Sequence, residues 1–173
     1  MRRSTLLAIL LGASIAACTP ALDWRDVRPE GSAASLQFPC KPQSQTRQAA
    51  LDGEATTMTL VSCTADGLTF ALVHADLGDP ARVTPALIAM RKALVTNLGA
   101  TQSVVKPFVL TGMTPSPEAV RLRASGHTPE GAPIVEEAVL FTRGTRVYQA
   151  AVLGARPDAA AVELFFESLR LES

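Results

Sequence analysis

The sequence predicts an α+β domain in which a helix covers each face of one antiparallel sheet, a three-layer sandwich. Runs of strand length, separated by turn residues, fill most of the chain, and two further segments have helical periodicity. The late runs carry apolar residues on both faces, with Val135 and Val139 on one face and Ile134 and Leu140 on the other. A sheet covered on both sides explains this pattern, because a wet face would be polar. We expect residues 22–173 to form this single domain.

The first part of the chain has the pattern of strands. Apolar and β-branched residues between turn residues predict strands at 22–28, 34–38, 44–51, 55–63 and 68–76. Asp52-Gly53 lies between two of these runs and is a dipeptide that two-residue hairpin turns prefer. Such a hairpin would place Cys63 opposite Pro42, one same-face step from Cys40.

The cysteines indicate a disulfide. The chain has three, and if Cys18 carries lipid, Cys40 and Cys63 remain as an even pair in an oxidising compartment. Diagonal neighbours need a kink to be bridged, which the prolines beside Cys40 would supply. A bridge here would stabilise the fold by about 3 kcal/mol in the chain-entropy model. Two buried free thiols are the structural alternative. A redox or metal pair is the functional one, although the C-x-x-C spacing is missing.

Two segments change to the period of a helix. Thr84 and Pro85 suit the N-cap and first turn of one helix, and Gly99 suits its C-terminal end. The second helix opens at Pro157-Asp158. Its apolar stripe consists of Val162, Phe165, Phe166 and Leu169. Between the helices, strands are predicted at 102–110, 118–125, 134–142 and 145–153. Pro107 indicates that the first of these is an edge strand or contains a bulge.

The N-terminus resembles a bacterial lipoprotein signal. Two arginines precede an apolar run that begins at Leu6 and ends in the small residues and cysteine of Ala16-Ala17-Cys18. The resemblance implies that residues 1–17 are a removed signal peptide and that Cys18 receives acyl chains, palmitate among them. An uncleaved transmembrane helix is one alternative, but the strongly apolar part is shorter than the roughly 20 residues that a span needs. Ordinary signal cleavage is the other.

The residue after the cysteine bears on location. Thr19 stands where Asp would favour retention at the inner membrane in the sorting pattern of enteric-type bacteria. We therefore expect a lipid anchor in the outer membrane with the domain on the periplasmic face, and the inner membrane as the alternative. Residues 18–21 would form a short tether that keeps the domain close to the bilayer. The membrane is thus a predicted partner through lipid on Cys18, since two acyl chains already give stable anchoring.

Composition excludes some partners. Without Arg2 and Arg3 the chain has 14 basic and 16 acidic residues, a net charge near −2. Such a domain lacks the basic footprint of a nucleic-acid-binding protein. It has one Trp and one Tyr, too few to indicate an aromatic-lined sugar or peptide groove. We expect no nucleic-acid partner and no cofactor.

His74 and Asp76 form the one pair that suggests catalysis or metal binding. They lie two residues apart on one face of the predicted strand 68–76, as a metal site or a base with its orienting carboxylate would require. The structural alternative, a partly buried histidine with a hydrogen-bonded partner, is favoured. His127 lies beside a turn and is expected to be exposed.

Other catalytic patterns are missing. The sequence contains no Gly-x-Ser-x-Gly and no phosphate-binding glycine loop. Glu136 and Glu137 fall on opposite faces of a strand and therefore cannot act as a pair, and Glu137 is expected to form a surface ion pair with Arg123. Arginines that could gather into an anion patch are Arg121, Arg123, Arg143 and Arg146. A solvated charged face is the favoured interpretation of these four. We predict no catalytic residue and no metal ligand.

Several packing features resemble the PsbP-like fold. They are Trp24, the strand end Leu36-Gln37-Phe38-Pro39, the helix 84–99 and the terminal helix with Phe165-Phe166. This fold is shared by an extrinsic photosystem subunit, a Ran-binding nuclear import factor and many bacterial lipoproteins, and the resemblance covers about residues 24–171. It implies the three-layer sandwich and a non-enzymatic assembly or binding role. The resemblance does not identify any functional residue in this sequence.

Three functions follow as hypotheses. The first is a non-enzymatic, membrane-anchored lipoprotein of the bacterial envelope that binds or helps to assemble another envelope component, with a protein as the expected partner. The second is a periplasmic carrier of a small molecule or lipid, with a pocket between sheet and helix. The third is an enzyme or metal site that uses His74 and Asp76.

Overall fold

The computed structural model describes residues 22–100 and 102–172. The strands are β1 (Arg25–Val27), β2 (Ala34–Phe38), β3 (Gln43–Leu51), β4 (Glu54–Ala65), β5 (Leu68–Asp76), β6 (Gln102–Pro107), β7 (Val120–His127), β8 (Pro133–Arg143), β9 (Arg146–Gly154) and β10 (Arg170–Leu171). The helices are α1 (Val83–Asn97) and α2 (Ala159–Glu167), and a short 3-10 turn at Pro80–Arg82 leads into α1.

The fold is mostly β. Seven antiparallel strands form the main sheet in the order β3-β4-β5-β9-β8-β7-β6, and a second sheet has the order β1-β2-β10. Strands hold 49% of the described residues and helices 18%. The predicted α+β three-layer sandwich, with a helix covering each face, is therefore wrong. The pattern of apolar residues on both faces shows that each face is covered, but it does not show by what.

Each face of the main sheet has its own core. On the first face, which we call the α1 face, Leu87, Met90 and Leu94 of α1 pack with Leu122 and Leu140 of the sheet. The opposite face, the α2 face, is covered jointly by the small sheet and by α2. There the ring of Phe165 packs edge to face with two other rings, 5.3 Å from Phe38 and 5.4 Å from Phe70. The early strands β1 and β2 thus form a covering layer of their own, which explains the difference from the predicted sandwich.

The ends of α1 are set by local contacts. The helix begins at Val83, one residue before the predicted N-cap Thr84, because the preceding 3-10 turn is itself capped by Asp79, which accepts a hydrogen bond from Ala81 N–H at 2.8 Å. After the helix, Gly99 has a φ of 52°, as predicted for a C-terminal glycine. A Cβ at Gly126 would lie 2.0 Å from the Leu98 carbonyl oxygen, so β7 passes directly beneath the end of α1.

The β3–β4 hairpin has the predicted register. Its ladder pairs Gln43 with Ser62, and the turn residues Asp52 and Gly53 both have positive φ, 55° and 91°. Just outside the ladder, the structure joins Cys40 and Cys63 in a disulfide with a Cα–Cα distance of 6.0 Å. This bond ties the end of β2 to the main sheet.

Candidate functional site

His74 and Asp76 lie on the α2 face but do not contact each other through a hydrogen bond. Asp76 accepts hydrogen bonds from the Thr145 hydroxyl at 2.6 Å and from Gly78 N–H at 3.1 Å. Arg146 Nε lies 3.2 Å from the other carboxylate oxygen. These contacts hold the pKa of Asp76 below its usual value, with the Thr145 hydrogen bond as the main cause. Asp76 is therefore bound to the β8–β9 turn and does not orient His74.

His74 is buried as a neutral ring. It is 6% exposed and faces Tyr148, with ring centroids 6.5 Å apart. Its Nε2 has no hydrogen-bond partner among the described residues. Burial lowers the pKa of His74, and the charge of Arg146 adds to this effect. A neutral imidazole without an orienting carboxylate favours a structural role for this residue, but the hydrogen-bonded partner that was expected for it is not found at Nε2 among the described residues.

The arginines do not form one anion patch. Arg121 and Arg123 of β7 bind Glu137, whereas Arg143 and Arg146 face each other across the β8–β9 turn. Arg143 donates to the backbone carbonyl of Glu172, and Arg146 lies beside Asp76. Each arginine therefore has an acceptor or a carboxylate beside it. These side chains join elements of the fold and do not form a free cationic site.

Glu137 is the centre of a network that fastens α2 to the sheet. It is only 8% exposed, and it accepts hydrogen bonds from Arg123 and, at 2.9 Å, from Arg121. Arg121 also donates twice to Glu163 of α2, at 2.9 and 2.6 Å, and its guanidinium lies 5.0 Å from the centre of the Phe166 ring. The predicted pair of Glu137 with Arg123 is present, but only Arg123, with a side chain that is 49% exposed, lies at the surface, whereas Glu137 is buried.

Glu136 is a buried carboxyl, for which the sequence predicted only a position on the face opposite to Glu137. It points to the α1 face, is 7% exposed, and accepts a hydrogen bond from Gln149 at 3.2 Å. Burial raises its pKa from 4.5 to about 7, and the Gln149 hydrogen bond only partly opposes this shift. No described cation forms an ion pair with it. The adjacent glutamates thus have opposite environments, because alternate residues of a strand point to opposite faces.

An apolar opening on the surface lies beside β6. We call it the β6 groove. It has a volume of about 610 Å³ and is lined by Pro107, Phe108, Val109, Leu110, Met113, Pro115, Ser116, Pro117 and Ala119. Phe108 forms part of its floor and lies 5.8 Å from the Phe141 ring, whereas Val109 is 84% exposed. Isolated exposed apolar residues are ordinary, but contiguous ones mark binding surfaces.

Strand β6 extends this apolar surface along the edge of the sheet. Pro107 predicted an edge position or a bulge, and β6 does form one edge of the main sheet. All its residues are exposed, including Val104 at 57% and Val105 at 47%. The opposite edge strand, β3, presents polar side chains along most of its length: Gln43, Ser44, Gln45, Thr46, Arg47 and Gln48. The two edges therefore differ in character, and β6 with its groove is the candidate functional site.

Residues 22–100 and 102–172 contain no group of three or more His, Cys, Asp or Glu side chains placed to hold a metal ion. None of the helices in this part of the chain has the length and apolar character that crossing a bilayer requires. The signal peptide 1–17, the lipidated Cys18 and the tether 18–21 lie outside the described residues.

No family model, curated protein or solved structure matches the chain. The resemblance to the PsbP-like fold is therefore without a relative to support it, and the helix-covered sandwich that it implied is wrong.

Replacement of each of the two adjacent glutamates by glutamine should have different effects on the free energy of unfolding. Between about pH 4.5 and pH 7 the native Glu136 carboxyl keeps a proton that the unfolded chain has released, so wild-type stability falls as pH rises through this window. We expect the stability of Glu136→Gln relative to wild type to rise by about 2 to 3 kcal/mol between pH 5 and pH 8. Urea unfolding at both pH values measures this difference.

Glu137→Gln is the matched control, because it removes the charge that Arg121 and Arg123 bind. We expect it to destabilise the protein by about 1 to 2 kcal/mol at both pH values, since the arginines are partly exposed. His74 is present in both variants. Equal pH dependence of the two variants would contradict the assignment of a buried, unpaired carboxyl to Glu136.

Proposed function

We propose that the chain is a non-enzymatic lipoprotein of the bacterial envelope that binds another envelope component through the β6 groove. Lipid on Cys18 holds it on the periplasmic face of the outer membrane. The observation that carries the binding role is the contiguous apolar surface of β6 and its groove, where Val109 is 84% exposed. Covering this surface would remove apolar area from water, which is the main favourable term in most protein association.

The position of the groove favours a partner other than the anchoring membrane. Asp23 N–H donates to the Pro39 carbonyl at 2.8 Å, and the Trp24 ring lies 5.8 Å from Phe70 of β5. The described chain therefore starts beside β5, and β6 lies four strand positions away, about 19 Å. Residues 18–21 reach about 14 Å when fully extended. The groove is therefore separated along the sheet from the point where the described chain starts.

The arrangement of polar groups supports binding over catalysis. His74 is buried and has no orienting carboxylate, and Asp76 is held by Thr145 and Arg146. The Glu136 carboxyl lies in the core of the α1 face and not in the β6 groove. Ser116 is the one hydroxyl among the residues that line the groove, and none of them is a histidine, a lysine or a carboxylate that could act as its base.

The second candidate is a small apolar ligand in the same groove. Its volume of about 610 Å³ falls within the usual range of ligand pockets. The exposed valines of β6 outside the groove favour the larger, protein partner, because a small ligand would leave them in water.

The binding role can be tested by photo-crosslinking in living cells. A benzophenone side chain at Val109 should give a discrete adduct with another envelope protein on irradiation. The same group at Gln45, which is exposed on the opposite edge strand β3, is the control and should give none. A Val109 site that gives no adduct, or the same adducts as Gln45, would contradict the proposed site. An adduct lost on addition of an extracted lipid fraction would favour the small-ligand candidate.

The anchor has its own test. Cys18→Ser should leave the protein unprocessed or release it from membranes, because the acyl chains supply the membrane affinity. Membrane fractionation and the mass of the N-terminal peptide report the result. Mature protein that still partitions into detergent with Ser at this position would contradict lipid anchoring at Cys18.

A further inference from the structure

We infer that the partner binds as an added strand along β6, in the form of an extended polypeptide segment with an acidic side chain beside Lys106 and an apolar side chain in the β6 groove. This inference rests on the proposed binding function and specifies its mode and partner. Addition of a strand uses the backbone hydrogen bonds of a sheet edge for affinity and side-chain pockets for specificity.

The register of β6 shows which of its peptide groups are available. Phe108 N–H donates to the Ala119 carbonyl at 3.0 Å, in continuation of the β6–β7 ladder. Residues of an antiparallel pair alternate between bonding to the neighbour and pointing away from it. The β6 residues that bond to β7 are therefore Gln102, Val104 and Lys106. The peptide groups of Ser103, Val105 and Pro107 point outward from the sheet.

The outward edge is unprotected over most of its length. Ser103 and Val105 each offer an N–H and a C=O, and Pro107 offers only a C=O because it lacks the amide hydrogen. Exposed edges are usually blunted by charge, proline or a covering element. Here the proline stands at the end of the strand, and one lysine is the only charge on β6. Five backbone groups thus remain available to a partner strand.

The groove lies where an added strand would continue past Pro107. Phe108 and Val109 follow the strand directly, and both line the groove. Pro107, Pro115 and Pro117 restrict the backbone around it. Leu110 N–H donates to the Met113 sulfur at 3.1 Å, which closes the loop on itself. A groove with a restricted backbone loses little freedom on binding, so an apolar side chain entering it is favoured.

Charge identifies the chemistry of the segment. Val104 and Lys106 share the α2 face with Arg121 and Arg123, and these side chains enclose a shallow depression that also includes Glu137 and Glu163. The two glutamates are bound by the arginines, whereas Lys106 forms no ion pair with a described residue. The depression therefore carries one excess positive charge. A carboxylate on the same face of an added strand would neutralise it.

The same charges disfavour a second copy of the chain as the occupant. Pairing of β6 with β6 would bring the excess positive charge of each copy to one interface. A partner with an acidic, extended segment does not have this disadvantage.

Val105→Pro tests the mode of binding. It removes an outward N–H and leaves the β6–β7 hydrogen bonds in place, so the protein should fold and the Val109 crosslink in cells should fall at least tenfold. Val105→Thr keeps the amide and should retain the crosslink. Thermal melts show whether both variants fold. If the wild type crosslinks and folded Val105→Pro crosslinks equally well, strand addition is wrong while the proposed binding function stands. If the wild type itself gives no adduct, the proposed function fails first.

Lys106 tests the partner chemistry independently of any effect of proline on folding. Lys106→Glu should lower the crosslink at least tenfold, and Lys106→Arg should leave it within a factor of two. Mass spectrometry of the adduct should place the crosslink in a segment with Asp or Glu nearby. An adduct with a second copy of this chain, or equal crosslinking by Lys106→Glu and Lys106→Arg, would overturn the acidic-segment proposal.

Discussion

Strands β8 and β9 carry apolar side chains on both faces, so water has to be excluded from both sides of the main sheet. Ala138 and Leu140 face α1, while Val139 and Phe141 face the small sheet and α2, and all four are fully buried. The rest of the fold supplies the two coverings. α1 spans one face, and β1, β2, β10 and α2 close the other, with the Cys40–Cys63 disulfide tying the covering layer to the sheet. Ion pairs of Arg121 with Glu137 and Glu163 fasten α2 at the rim.

Local structure could be predicted from the sequence. Alternation and turn residues predicted the strands of the main sheet, and helical periodicity predicted both helices. Asp52-Gly53 predicted the hairpin register that places Cys63 near Cys40. The covering layer could not be predicted in this way. Alternation in β2 shows that Leu36 and Phe38 are buried, but not against which surface, and the two-residue β10 has no pattern of its own. The predicted sandwich therefore had a helix on each face, whereas in the structure a second sheet covers the α2 face together with α2.

The candidate site was missed for a related reason. The β6 groove is lined by residues between 107 and 119, which include three prolines and, beyond the predicted strand 102–110, have no periodicity. Only their position beside an edge strand makes them a surface. Glu136 and Glu137 also show that the sequence predicts which face a side chain is on but not what surrounds it. Alternation placed them on opposite faces, but only the packing of α1 and α2 decides that one is bound by arginines and the other is a buried carboxyl without a cation. The exclusion of water is thus complete around β8 and β9 and incomplete at β6.

The exposed edge strand β6 is the centre of the proposed function. Hydrogen exchange of its backbone amides tests most directly whether a partner covers it. The outward backbone amides of Ser103 and Val105 would be compared in purified protein and in protein within isolated outer membranes, with residues 43–51 of β3 as the internal reference. The account predicts fast exchange of these two amides in the purified protein, because they have no partner in the β6–β7 ladder, strong slowing of both in the membranes and no change in β3. Equally fast exchange of Ser103 and Val105 in both preparations would contradict a partner on β6.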